Sequence, residues 1–229
     1  MHEAEALFHI GGVAVESVMT TALAISVLLM LVAIIGTRKL SPDKAPTGLT
    51  NAIELGVSML DDFVCGITGK HIGRQFMPLF GTLFIFILCC NYSGLLPMAG
   101  SLPGLAAPSS SLSITVGLAL VTFLTTVYAG VKYNGVFGYI ASFAKPIAFI
   151  FPLMLLDQFI HPVSLSLRLY GNVYGEEAVV HQLATMLPVG LPVLMQFLSV
   201  LMGGIQALVF TLLACIYIEE AVGHHEGEH

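Results

Sequence analysis

Long apolar runs alternate with short polar breaks along most of this chain. The runs near 17–36, 76–96, 113–131, 146–156 and 191–218 hold few charged residues, and at 1.5 Å rise per residue most are long enough to cross a hydrocarbon core of about 30 Å as α-helices. No alternation of the β-barrel kind is visible. Residues 48–66 (GLTNAIELGVSMLDDFVCG) differ: Leu49, Ile53, Val57 and Leu60 recur at helical spacing with Asn51, Glu54, Ser58, Asp61 and Asp62 between them. That spacing predicts an amphipathic helix lying along a membrane interface. After Lys145 the apolar pattern acquires Asp157, His161, Arg168, Asn172, Glu176, Glu177 and His181 before it breaks at Pro188 and Pro192. An ionisable group in a bilayer costs about 2.5–3.5 kcal/mol on insertion scales, so such residues persist where a partner or a water path stabilises them. Function is therefore expected in this segment.

Composition agrees with the pattern. The chain of 229 residues is 56% hydrophobic and 10% charged, whereas a soluble domain carries about a quarter charged residues. The expected fold class is an all-α integral membrane protein, multi-pass, with one membrane domain and no long linker. No Lys or Arg precedes the first apolar run, while Arg38, Lys39 and Lys44 follow it, which is the reverse of a signal peptide. The positive-inside rule then puts the N-terminus outside and the C-terminus in the cytoplasm. Lys70, Arg74, Lys132 and Lys145 fall on the inner side, and the uncharged residues 97–112 fall outside. The net charge of −6 comes largely from the two ends and points to no nucleic-acid partner. Cys65, Cys89, Cys90 and Cys215 lack zinc or redox spacing and read as small hydrophobes. The tail HHEGEH at 224–229 reads as solvated chain rather than a metal site, because it lacks fixed geometry.

On a helix of 100° per residue, Asp157, His161, Ser164, Arg168 and Asn172 fall on one stripe, within about 40° of Arg168. Glu177 lies on the opposite face, with His181 one turn further on. Pro162 removes a backbone donor and blurs the phase across it. In the next apolar run, Gly203 and Gly204 separate Ser199 from Gln206, and small residues there would let another helix approach closely. A hairpin through 188–192 would bring Gln206 near Arg168, where a neutral amide can hold a guanidinium without neutralising it. Each residue also has a plainer reading. Arg168 could snorkel to an interface, Glu177 could pair with Arg168, and Asp157 could be a helix-end charge. His161 and His181 read more readily as structural histidines than as relays.

Residues 162–177 (PVSLSLRLYGNVYGEE) and 204–218 (GIQALVFTLLACIYI) resemble the two signature segments of subunit a of F-type ATP synthases. TNAIEL at 50–55 and NYSGLLP at 91–97 extend the resemblance over most of the chain. The resemblance implies that Arg168 is the essential charge separating two ion half-channels. The implied ion pathway takes in Asn172, Glu177 and Gln206, and Glu176, His181, Ser199, Asp157 and His161 are further candidates. Ser199 stands where many members carry His or Glu, and Ser111 and Ser113 match an Asp and Asn loop motif. The outer access path therefore lacks two familiar polar landmarks. The implied architecture is a stator of about five or six helices: a first transmembrane helix at 17–36, an interfacial helix at 48–66, a transmembrane hairpin at 76–131, and a tilted hairpin at 145–220. That last hairpin would face a rotor ring of small hairpin subunits, each with one membrane carboxylate. Implied partners are the ring, peripheral-stalk and remaining synthase subunits, membrane lipid, and protons, with Na⁺ the other candidate ion. The implied location is a bacterial inner membrane.

No nucleotide-binding loop is present, so ATP chemistry is expected in partner subunits and no cofactor is expected here. Two other classes remain open at this point. A secondary transporter or channel would lead one to look for inverted repeats or paired broken helices, and neither is evident. A structural membrane anchor would not need the polar stripe.

Overall fold

The computed structural model describes residues 6–10, 13–38, 49–95, 107–142, 151–186 and 191–223. Within these the chain is nearly all helical. Strands β1 (Ala6–Ile10) and β2 (Val13–Glu16) form a small antiparallel hairpin that the apolar pattern did not predict. Gly11 and Gly12 lie between them in the sequence, a pair that favours tight hairpins. Five helices follow: α1 (Ser17–Arg38), α2 (Leu49–Ser93), α3 (Leu112–Ser142), α4 (Phe151–Met186) and α5 (Leu191–Val222). A 3₁₀ turn at Pro108–Ser110 precedes α3.

Among the described residues, the stretches long and apolar enough to cross a membrane are 18–35, 54–93, 112–139 and 194–222, in α1, α2, α3 and α5. Helix α4 falls outside that set. Asp157, Arg168 and Glu176 interrupt its apolar sequence, yet it runs unbroken through Pro162.

Two of the helices bend at glycine. Gly69 in α2 has φ 73° and ψ 160°, and Gly135 in α3 has φ 71° and ψ 162°. This is a backbone region that essentially only glycine occupies. Gly69 separates the amphipathic first part of α2 from a basic turn, Lys70 to Gln75, that leads into the apolar second part. Past Gly135 the chain folds back far enough for the Tyr139 ring to cover Gly130, leaving no room for a Cβ there.

Helix α5 is the centre of the bundle, packing on α2, α3 and α4. Its inward residues Ala207, Phe210, Ala214, Cys215 and Ile218 are buried, together with Phe80, Ile87, Leu165 and Leu169 from the helices around it. Hydroxyls within this apolar interior bond back to their own helices. Thr122, Thr126 and Thr211 each donate to the carbonyl one turn earlier, which satisfies them without an outside partner. By contrast α1 buries only Thr21 and Ile25 among its described residues, both in its first half.

Candidate functional site

Two contacts set the register of α4 against α5. Asn172 Nδ2 donates to Gln206 Oε1 at 2.7 Å, and the His161 ring stacks on Tyr217 with centroids 4.1 Å apart and planes 6° from parallel. As the α4 position falls from 172 to 161, its α5 partner rises from 206 to 217, so the helices are antiparallel. The expected turn at 188–192 falls mostly outside the described residues.

This pairing brings Gln206 to the Arg168 face. Its partner there is Asn172, one turn past Arg168, rather than the guanidinium. Gln206 is 3% exposed, and its Nε2 is buried with no hydrogen-bond partner among the described residues. A buried donor of this kind calls for a water or an incoming acceptor.

Arg168 and Asn172 both lie on the exposed surface. Arg168 makes no hydrogen bond or ion pair among the described residues. Leu167, next to it in the chain, is exposed as well, as are Leu201, Ile205 and Leu208 on α5, while the residues one turn from it on α4 are Ser164 and Asn172. A permanent cation in an apolar face is costly unless an anion meets it. The arrangement is that of a charge presented outward to a partner.

Asp157 and His161 form a second group, one turn apart, with Asp157 Oδ2 3.2 Å from His161 Nε2. The histidine is charged only if protonated. Its side chain is 18% exposed and that of Asp157 59%, so the pair spans the boundary between surface and interior. Beside it is a cavity of about 10 Å³ lined by Thr122, Thr126, Gln158, His161 and Tyr217, near the smallest that holds one water.

The other predicted residues are more scattered. Ser199 is buried and donates to the Met195 carbonyl at 2.9 Å, so its hydroxyl is occupied within α5. Glu176 is half-buried in α4. The backbones of Glu177 and His181 belong to α4, but their side chains lie outside the described residues, as does the 224–229 tail.

Sequence reading did not single out Tyr217, Gln158, Asn91 or Tyr92 as site residues. Tyr217 lies eleven positions after Gln206, close to three helical turns, and that phase was the available signal for it. Gln158, ten before Arg168, falls about 80° off the arginine's line, so phase did not mark it. Asn91 and Tyr92 meet α5 from a distant part of the chain, through Asn91 Nδ2 to the Gly203 carbonyl (3.0 Å) and Tyr92 Oη to the Val200 carbonyl (3.2 Å).

Residues 18–219 match the family model for the ATP synthase A chain. Over 219 residues the chain is 40% identical to ATP synthase subunit a of Moorella thermoacetica, covering 96% of each. It is 38% identical over 215 residues to ATP synthase subunit a of Gloeobacter violaceus, covering 92% of this chain and 85% of the relative. With the family model spanning nearly the whole described core, this chain belongs to the ATP synthase A chain family.

Proposed function

We propose that this chain is the membrane stator of a rotary ATP synthase, offering ions two half-channels to and from carboxylates on a rotor ring. The carrying observation is Arg168, exposed and without a hydrogen bond or ion pair among the described residues, beside the Asn172–Gln206 pair. Arginine does not deprotonate in proteins, so it cannot itself relay a proton. A ring carboxylate facing it is held ionised by the adjacent cation. One facing lipid must be neutral. Ions that load on one side of Arg168 and leave on the other therefore turn the ring, and each charge crossing 100 mV supplies about 2.3 kcal/mol. Gln206, bonded to Asn172, adds a neutral polar group behind that surface.

In this reading the first part of α2 lies along the inner interface and the α4–α5 hairpin faces the ring. The partners are the ring, the peripheral stalk and the other synthase subunits, with protons as the ion carried. A secondary transporter would bind its substrate inside the bundle, whereas Arg168 points out of it.

The test is ATP synthesis and passive proton permeability in inverted vesicles holding the assembled complex. Arg168→Ala should abolish synthesis, since losing a cation that shifts a carboxylate by about two pKa units changes its ionised fraction about a hundredfold. It should also open a passive leak. Arg168→Lys keeps the charge but loses the planar fork and can deprotonate when buried, so it should fail nearly as badly. Substantial coupled synthesis by the Ala variant would remove Arg168 from the mechanism.

A further inference from the structure

The last turn of α2 grips α5 through contacts that the proposed ion path does not use. Besides the Asn91 and Tyr92 bonds, Gln196 Nε2 on α5 donates to the Leu95 carbonyl just past α2, at 3.1 Å. Asn91 is 6% exposed, and its Oδ1 has no partner among the described residues. Its orientation is therefore set by the Nδ2 bond to Gly203. The approach depends on glycine. A Cβ on Gly203 would lie 3.2 Å from Asn91 Cβ, and one on Gly204 3.1 Å from Tyr92 Oη.

Simple packing would be served by a leucine at position 91, with no polar group to desolvate. A donor on a main-chain carbonyl does something packing cannot. Helix carbonyls recur every 1.5 Å and 100°, so only one register of α5 satisfies Asn91 and Tyr92 together. Gln206 lies less than a turn beyond Gly203. A slip of one residue would move its amide about 1.5 Å along and 100° around the axis, breaking the 2.7 Å bond to Asn172.

We propose that Asn91 and Tyr92 are positioning residues, a two-point clamp holding the register and rotation of α5 so that Gln206 meets Asn172 beside Arg168. The consequence for ion coupling rests on the function proposed above; the geometric part does not.

The test uses whole synthase in native membranes, with the four native cysteines replaced by Ala. One reporter carries Asn172→Cys with Gln206→Cys. A control carries Gln75→Cys with Tyr133→Cys, whose native side chains bond between α2 and α3. Introducing Asn91→Ala with Tyr92→Phe should slow oxidative cross-linking of the first pair about tenfold and leave the control pair within about twofold, because the loss is local. Without reporter cysteines, the same two changes should cut ATP-driven pumping per assembled complex about tenfold, in line with two lost hydrogen bonds. An unchanged 172–206 rate, or an equal fall in both pairs, would overturn the clamp. A selective fall in cross-linking with pumping unchanged would overturn its role in coupling. If the double variant fails to assemble, Tyr92→Phe alone is held to the same outcomes at about threefold. Coupled synthesis by Arg168→Ala would sink the proposed function while leaving the cross-linking result to judge the clamp.

Discussion

At the scale of single residues, this site separates charge from hydrogen bonding. Arg168 supplies a charge that does not titrate, and the Asn172–Gln206 pair supplies neutral polar groups at the same level of the hairpin. Among the described residues no acidic side chain is paired with Arg168, which leaves its charge for an incoming carboxylate. Position 177 stands apart from this face, since nine residues turn a helix by about 180° from Arg168. In the proposed mechanism, a titratable group there suits a path that reaches the ring without passing the cation. We therefore expect Glu177→Gln to slow ATP-driven proton pumping at least about tenfold while the complex still assembles, in keeping with the usual worth of a positioned proton donor or acceptor. Glu177→Asp should retain part of the rate. Pumping by the Gln variant at the parent rate would leave Glu177 with a structural role only. Much of this scale was legible from spacing, because Arg168, Asn172 and Glu177 share one helix and helical phase is a local property. The stack of His161 on Tyr217 was not, since it depends on the register between two helices.

Among the elements, the long helices were readable from apolar length, but their bends and mutual contacts were not. Nothing local to Gly69 distinguishes it from Gly56 or Gly66, yet Gly69 alone of the three has a positive φ. Likewise the bond from Asn91 to Gly203 spans 112 positions. Such a contact leaves no periodic trace, and only the run Gly203–Gly204 hinted that a helix would come close there. The bend at Gly69 lends itself to a direct check. Alanine at φ 73° is strained whatever the space around it, at a cost of roughly 1–3 kcal/mol. Gly56 is helical with open space around it, and Ala there should be neutral or stabilising by up to about 1 kcal/mol. In detergent-purified complex, Gly69→Ala should lower the temperature at which the subunit aggregates, whereas Gly56→Ala should not. Equal behaviour of the two variants would show that the bend is not needed.

For the molecule as a whole, charge pattern and helix packing bear on orientation together. Tyr133 Oη donates to Gln75, and Asn134 Nδ2 donates to the Ala221 carbonyl at 2.8 Å. Those bonds gather Lys70, Arg74, Lys132 and the end of α5 at one end of the bundle. The 3₁₀ turn at Pro108–Ser110 precedes α3 and so sits at the opposite end; α1 touches it and buries Thr21 and Ile25 from its own first half. The start of α1 thus lies far from the end of α5. Because Lys and Arg accumulate on cytoplasmic sides, the end holding α5's last turn is expected to be the inner one. The expected orientation therefore has the N-terminus outside and the C-terminus in the cytoplasm. To check this, Glu5→Cys and Glu226→Cys are made singly in a background without the four native cysteines. In sealed right-side-out vesicles, a membrane-impermeant maleimide should label position 5 at once and position 226 only after the membrane is opened. In inverted vesicles the order should reverse. Labelling of both positions from the same face would refute the orientation, and with it the assignment of Lys70, Arg74 and Lys132 to the inner surface.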